Sequence, residues 1–164
     1  MAILYLKKNY YDALDKTQNN EFVRKTRAYF RIYGLKYKGE CVEVAVPLRA
    51  NINPNFLKDK GDYIATLPTS HTRQGNWAGW HITKMIPFDG ELFNKRRNKI
   101  TDRDMLLAEH TAKAYIKDMQ LAAQKLLNRI EAGENVFGVI EFNSALKLVA
   151  RLKKQGKPSG AKRQ

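Results

Sequence analysis

The chain opens with the apolar positions Ile3-Leu4-Tyr5-Leu6 uninterrupted by any polar residue, the pattern of a short strand buried on both faces. Tyr10, Tyr11 and Leu14 then stand among polar neighbours and predict a short helix that stops at the Thr17-Gln18-Asn19-Asn20 break. From Arg27 to Tyr37 and from Glu40 to Val46, aromatic and β-branched residues alternate with polar ones on either side of Lys38-Gly39, which predicts a hairpin. In its second strand Val42, Val44 and Val46 share one face while Cys41, Glu43 and Ala45 share the other. Alternation ends at Pro47-Leu48-Arg49-Ala50-Asn51-Ile52-Asn53-Pro54-Asn55, which is expected to be a loop. Tyr63 to Leu67 and Trp80 to Phe88 have the composition of further strands, and Pro68 to Asn76 between them is polar.

After residue 100 the period changes from two to three and four. Thr101, with Asp104 three residues on, suits a helix start, and Met105, Ala108, Ala112, Tyr115, Ile116, Met119, Ala122, Ala123, Leu126, Leu127 and Ile130 then fall on one stripe of a single helix that Gly133 should end. Ile140, Ala145, Leu148, Val149 and Leu152 carry a second helical pattern, starting near Asn135 or Asn143. The layout is α+β: a small antiparallel sheet in the first half, covered by helices that are mostly C-terminal. At 164 residues it has room for one domain, expected over residues 1–155, and residues 156–164 have no apolar periodicity and are expected to form a flexible basic tail.

Composition adds a partner. With 43% hydrophobic and 28% charged residues the chain has the make-up of a folded protein, yet 30 Lys and Arg against 16 Asp and Glu leave a net charge of +14. Like charges oppose compaction, so an excess of this size points to a polyanion. The single cysteine, Cys41, excludes an internal disulfide and a Cys-rich zinc site and fits a reducing compartment. The apolar run before Lys7 is far shorter than the roughly 20 residues of a membrane span, and a cytoplasmic protein without membrane contact is expected.

Between Arg24 and Lys38 stand six basic residues, Arg24, Lys25, Arg27, Arg31, Lys36 and Lys38, no acid, and the aromatics Tyr29, Phe30, Tyr33 and Tyr37. Cations for phosphates beside aromatic faces for unstacked bases suit single-stranded or irregular RNA better than a smooth duplex. Lys95, Arg96 and Arg97 make a second basic cluster, and Trp77 and Trp80 could stack a base or serve as core anchors. His71, His81 and His110 lie far apart, no carboxylate pair or phosphate-cradling loop is present, and neither metal nor cofactor is expected. Metal-free RNA cleavage needs a base at the 2′-hydroxyl, a proton donor at the leaving 5′-oxygen and cations on the phosphorane. Two segments offer such groups: Thr69-Ser70-His71-Thr72-Arg73, where His71 is the one histidine in a clearly polar setting, and Arg49 with Asn51 just beyond a strand. A non-catalytic RNA-binding module would use the same charge. DNA readout by the 101–131 helix is disfavoured, because one side of it is apolar and Asp102, Asp104, Glu109 and Asp118 dilute the other.

The order of these elements resembles a known family. A short strand and helix, Arg27-Ala28-Tyr29-Phe30 opening a strand, a strand ending in Pro47-Leu48 before a polar segment, Ile82-Thr83-Lys84-Met85-Ile86-Pro87 later, and long C-terminal helices are together similar to the ToxN/AbiQ-like toxins of type III toxin-antitoxin systems, nearest in look to the CptN and TenpN branches. The resemblance covers residues 1–155 and implies a small, strongly curved sheet with an SH3-like barrel core related to the Kid and MazF toxins. It implies a metal-independent, sequence-specific endoribonuclease of phage defence that leaves 2′,3′-cyclic phosphate ends on cellular or phage mRNA. It also implies an antitoxin RNA of pseudoknot repeats that the toxin processes and is inhibited by, often in a closed ring. In the family a catalytic Thr-Ser pair follows the Pro-Leu, and a basic residue opens the earlier strand. Arg27, or else Lys25, matches the basic position, whereas Arg49-Ala50 replace Thr-Ser. Thr69 and Ser70 could supply the hydroxyls, Arg49 and Asn51 could act without one, or the chain could be an inactive form. The expected shared site is Arg27, Arg49, Asn51, Thr69, Ser70 and His71, with Lys84 and Tyr33 at its margin.

Overall fold

The structure is a computed structural model that describes residues 3–17, 28–53, 55, 63–67, 77–95, 103–136 and 141–156. Among the described residues there are seven strands: β1 (Leu4–Leu6), β2 (Tyr29–Tyr37), β3 (Glu40–Ile52), β4 (Ile64–Leu67), β5 (Trp77–His81), β6 (Ile86–Pro87) and β7 (Phe93–Lys95). The helices are α1 (Lys8–Thr17), α2 (Arg103–Ala114), α3 (Ile116–Glu131) and α4 (Phe142–Gly156). The strands form one antiparallel sheet in the order β4-β5-β3-β2-β1-β7, with β6 added beside β3. The α+β architecture expected from the sequence is therefore present, and the sheet is open, with β4 and β7 at its edges.

The hairpin turns where expected. Lys38 (φ 51°) and Gly39 (φ 78°) both take positive φ, as the tight turn that suits twisted strands requires. Across the hairpin Ile32 faces Val44 and Phe30 faces Val46, while on the opposite face Arg31 faces Ala45 and Tyr29 faces Pro47. Both faces are covered. Phe30, Ile32, Val44, Val46, Trp80, Met119, Ala123 and Leu126 share one core, and Leu4, Leu6, Tyr10, Tyr29, Ala45, Ile86, Phe93, Ala145 and Leu148 share a second. Two buried faces explain why Val44, Ala45 and Val46 form an unbroken apolar run.

Three expectations are corrected. First, residues 47–52 are strand, not loop: β3 continues past Pro47 and exchanges its partner, leaving β2 at Tyr29↔Pro47 and pairing with β5 at Leu48↔Trp80, Arg49↔Gly79 and Ile52↔Trp77. Pro47, lacking an N–H, sits where one ladder gives way to the next. Second, the strand expected over Trp80 to Phe88 ends at His81; Ile82–Lys84 form a 3₁₀ turn before β6. Third, the single helix expected over 101–131 bends at Tyr115 into α2 and α3. Its hydrogen bonds continue through the bend, from Tyr115 N–H to Thr111 C=O and from Met119 N–H to Tyr115 C=O, both 2.9 Å. The bend lets α2 lie against β4 and α3 against β2, two strands of one curved sheet. α3 also covers the free edge of β2: the Gln124 amide accepts from Lys36 N–H and donates to Lys36 C=O (2.8 Å each), and Gln120 Nε2 donates to Tyr33 C=O (2.9 Å).

Candidate active site

The partner exchange in β3 builds a polar site. Arg49 lies opposite Gly79, and His81 follows two residues along β5, so period-two alternation places both side chains on one face as diagonal neighbours. Arg49 Nη1 approaches His81 Nδ1 at 3.3 Å, and Thr83 Oγ1, brought under the ring by the 3₁₀ turn, lies 2.6 Å from His81 Nε2. A guanidinium only donates. His81 Nδ1 therefore presents its lone pair, the ring proton sits on Nε2, and Nε2–H donates to the Thr83 hydroxyl oxygen. The imidazole is thus neutral, with both nitrogens occupied.

Burial makes this arrangement specific. Among the described residues the buried polar or charged side chains are His81, Thr83, Lys84 and Thr111, so three of the four fall within residues 81–84. His81 is fully buried and Thr83 nearly so, whereas Arg49 is half-buried. Burying polar groups is unfavourable unless they are mutually satisfied, and here they form a floor that holds one cation where it meets solvent.

Of the expected site residues, the structure brings Arg49 to this floor. Asn51 lies two positions further along β3, and Trp77 pairs with Ile52 at the start of β5. Arg24, Lys25, Arg27, Thr69, Ser70, His71, Arg96 and Arg97 lie outside the described residues. Lys36, Lys38 and Lys95 are exposed, and so is Tyr33, at 56%. Lys36 Nζ donates to Cys41 Sγ at 2.9 Å, a contact that raises the lysine above its usual pKa. Arg31 is half exposed but already bound to Glu43, through Nε (3.1 Å) and Nη2 (2.5 Å).

Two assignments are corrected. Tyr29 does not offer a face to RNA: it is buried, edge-on to Phe93 with centroids 5.8 Å apart, because β1, β7 and α1 close over that part of β2. Lys84 is also interior, 6% exposed within the 3₁₀ turn. Trp80 takes the core role of its two alternatives: it is fully buried and its indole N–H donates to Ala108 C=O at 3.0 Å. His81 and Thr83 are the residues that sequence reasoning missed. A histidine and a threonine two apart carry no signal alone; their meaning comes from Arg49, 32 positions earlier in the chain.

The fold and this site define the class: a curved antiparallel sheet under C-terminal helices, carrying a cationic site where its longest strand changes partner. The chain shares its fold with the toxin component of type III toxin-antitoxin systems as seen in two solved structures. One is AbiQ, a lactococcal anti-phage endoribonuclease belonging to a type III toxin-antitoxin system: TM-score 0.69 and 12% identity over 93% of this chain and 98% of AbiQ. The other is ToxN, from a bacterial antiviral system regulated by a processed non-coding RNA: TM-score 0.68 and 14% identity over 90% of this chain and 96% of ToxN. No protein-family model and no curated protein sequence matches the chain. No helix among the described residues is long and apolar enough to cross a membrane.

Proposed function

We propose that this protein is a sequence-specific endoribonuclease toxin of a type III toxin-antitoxin system, acting in the cytoplasm on cellular or phage mRNA. The observation that carries the reading is Arg49, held by the neutral, buried His81–Thr83 pair in a protein of net charge +14. The fold shared with AbiQ adds support by analogy. The reaction is transesterification: the 2′-oxygen attacks phosphorus, the P–O5′ bond breaks, and the products carry a 2′,3′-cyclic phosphate and a 5′-hydroxyl. The 2′-hydroxyl proton passes to a base and the 5′-oxygen receives one from an acid, so the protons balance. Arg49 neutralises the phosphorane oxygens, a task for which two parallel N–H donors are well shaped. His81, with both nitrogens engaged, is a positioning residue. Thr69, Ser70 and His71 are the groups proposed for the proton transfers, and Arg27 and Asn51 are proposed to assist Arg49 on the phosphate. A guanidinium beside an imidazole and a hydroxyl repels a divalent cation rather than ligating it, which supports a metal-independent route.

The same reading gives the partner: an RNA antitoxin of pseudoknot repeats, cut by the toxin and then retained as its inhibitor, in a ring-shaped assembly. Tandem repeats in the DNA upstream of the gene and short RNA of uniform length co-purifying with the protein are the expected signs.

The deciding experiment incubates purified protein with RNA in excess EDTA and maps the ends. Discrete cuts with cyclic phosphate ends are expected, and Arg49→Ala should slow them at least about a hundredfold, the usual loss when one transition-state donor is removed. Binding without cleavage would establish a non-catalytic RNA-binding module instead. Toxicity on expression should vanish with Arg49→Ala or Ser70→Ala; unchanged toxicity in both variants would remove the site.

A further inference from the structure

The last helix, α4, carries Lys147, Arg151, Lys153 and Lys154 and no acidic residue. Its apolar stripe, Phe142, Ala145, Leu148, Val149 and Leu152, is buried in the two cores. The opposite side bears Lys147, Arg151 and Lys154, at spacings of four and three that set them in one exposed row. Lys153 stands off this row and is bonded to Asp89 at 2.9 Å. Other cations of the fold also meet acids: Lys8 meets Asp12, Arg31 meets Glu43, and Arg129 meets Glu134. Among the described residues, none of the three in the row has such a partner. The helix dipole favours cations in the last turn, which accounts for Lys153 and Lys154. It does not account for Lys147, in the second turn, nor for a first turn without an acid. Like charges four residues apart oppose each other, so the row is unfavourable in the free protein and is relieved when an anion lies across it.

We infer that this row is a docking surface for the phosphate backbone of an RNA strand, engaged without regard to sequence; the inference rests on the reading of the protein as one that acts on RNA. Lys147 and Lys154 are seven residues apart, about 10 Å along the helix axis. A stacked strand carries one charge per ~3.4 Å of its axis, so this length matches roughly three phosphates, one for each cation. Ser144 and Ala150, exposed beside the row, offer no face for stacking a base, so the contact carries no base readout. Position agrees as well. Ala45 of β3 lies in the core beneath Ala145 and Leu148, and Arg49 has the same parity four residues on, roughly 13 Å of strand. Arg49 and α4 therefore share one side of the sheet, and a strand held at Arg49 can continue across α4. A membrane surface fits less well: an interfacial helix buries its apolar face in lipid, and that of α4 already lies in the core.

The test titrates the intact protein with a short fluorescein-labelled 2′-O-methyl RNA, which has no 2′-hydroxyl to react, and follows anisotropy at several KCl concentrations. The slope of log affinity against log salt should become shallower by about 0.7 in each of Lys147→Gln, Arg151→Gln and Lys154→Gln, and by about 2 in the triple variant. The change should be equal for oligonucleotides of different sequence. Glutamine keeps a good helix propensity, so thermal melts should coincide with the parent. Lys117→Gln, exposed on α3, removes the same charge elsewhere and should leave the slope unchanged. An unaltered slope in the triple variant, an equal change in Lys117→Gln, or a loss confined to binding of phosphatidylserine vesicles overturns the inference. Cleavage of unmodified RNA is scored separately: an α4-dependent slope in a protein that does not cleave keeps the docking surface and removes the nuclease, and cleavage with an unaltered slope does the reverse.

Discussion

Thr83→Val isolates the reasoning about the buried polar floor, because valine keeps the shape of threonine and removes only the hydroxyl. Thr83 is 2% exposed and its oxygen lies 2.6 Å from His81 Nε2, itself in a fully buried ring. The substitution takes the Thr83 oxygen away from a buried ring N–H, a change of about 1–3 kcal/mol. For a domain of this size each kcal/mol lowers Tm by about 2–4 °C, which gives about 2–12 °C in a thermal melt followed by circular dichroism. The same change frees the ring from its single tautomer and loosens Arg49, so the rate of RNA cleavage should fall alongside Tm. Thr83→Ser restores the hydroxyl and should recover the rate and most of the stability. A Thr83→Val protein with unchanged Tm and rate would show that His81 donates elsewhere and would refute the tautomer assigned from Arg49.

Tyr10 gives a prediction in pH. Its hydroxyl donates to Pro87 C=O at 2.9 Å, and burial, aided by Tyr29 and Asp89, raises its pKa well above the usual value. The folded state therefore keeps the proton longer than the unfolded chain does: the contribution is complete below about pH 10 and is lost as pH climbs through the folded value. Tyr10→Phe should cost about 1 kcal/mol at neutral pH, and denaturant melts should show a shallower alkaline decline than the parent; parallel declines would disprove the account. Gly133 ends α3 with φ 79°, its N–H bonded to Ile130 C=O and that of Glu134 to Arg129 C=O, 3.0 Å each. A methyl group added there would meet nothing within 4 Å, so Gly133→Ala should cost only its backbone strain, about 1–2 kcal/mol. A chemical melt with an unmoved midpoint would contradict this.

Local chemistry was legible from the chain. Lys38-Gly39 marked the hairpin turn, the alternation of Val42, Val44 and Val46 marked a face of β3, and Gly133 marked the end of α3, because each of these depends on residues within a turn or two of one another. What only the tertiary structure decided depends on distant partners. Tyr29 and Tyr33 have the same parity on β2, yet one is buried and the other exposed, since β1, β7 and α1 cover the first and stop short of the second. Residues 47–52 have no alternation to betray a strand, because their pairing is supplied by β5 some thirty positions later. The Arg49–His81–Thr83 floor arises from that same exchange. The net charge of +14 was written in the composition and named a polyanion; the change of partner along one strand placed Arg49 against a buried histidine.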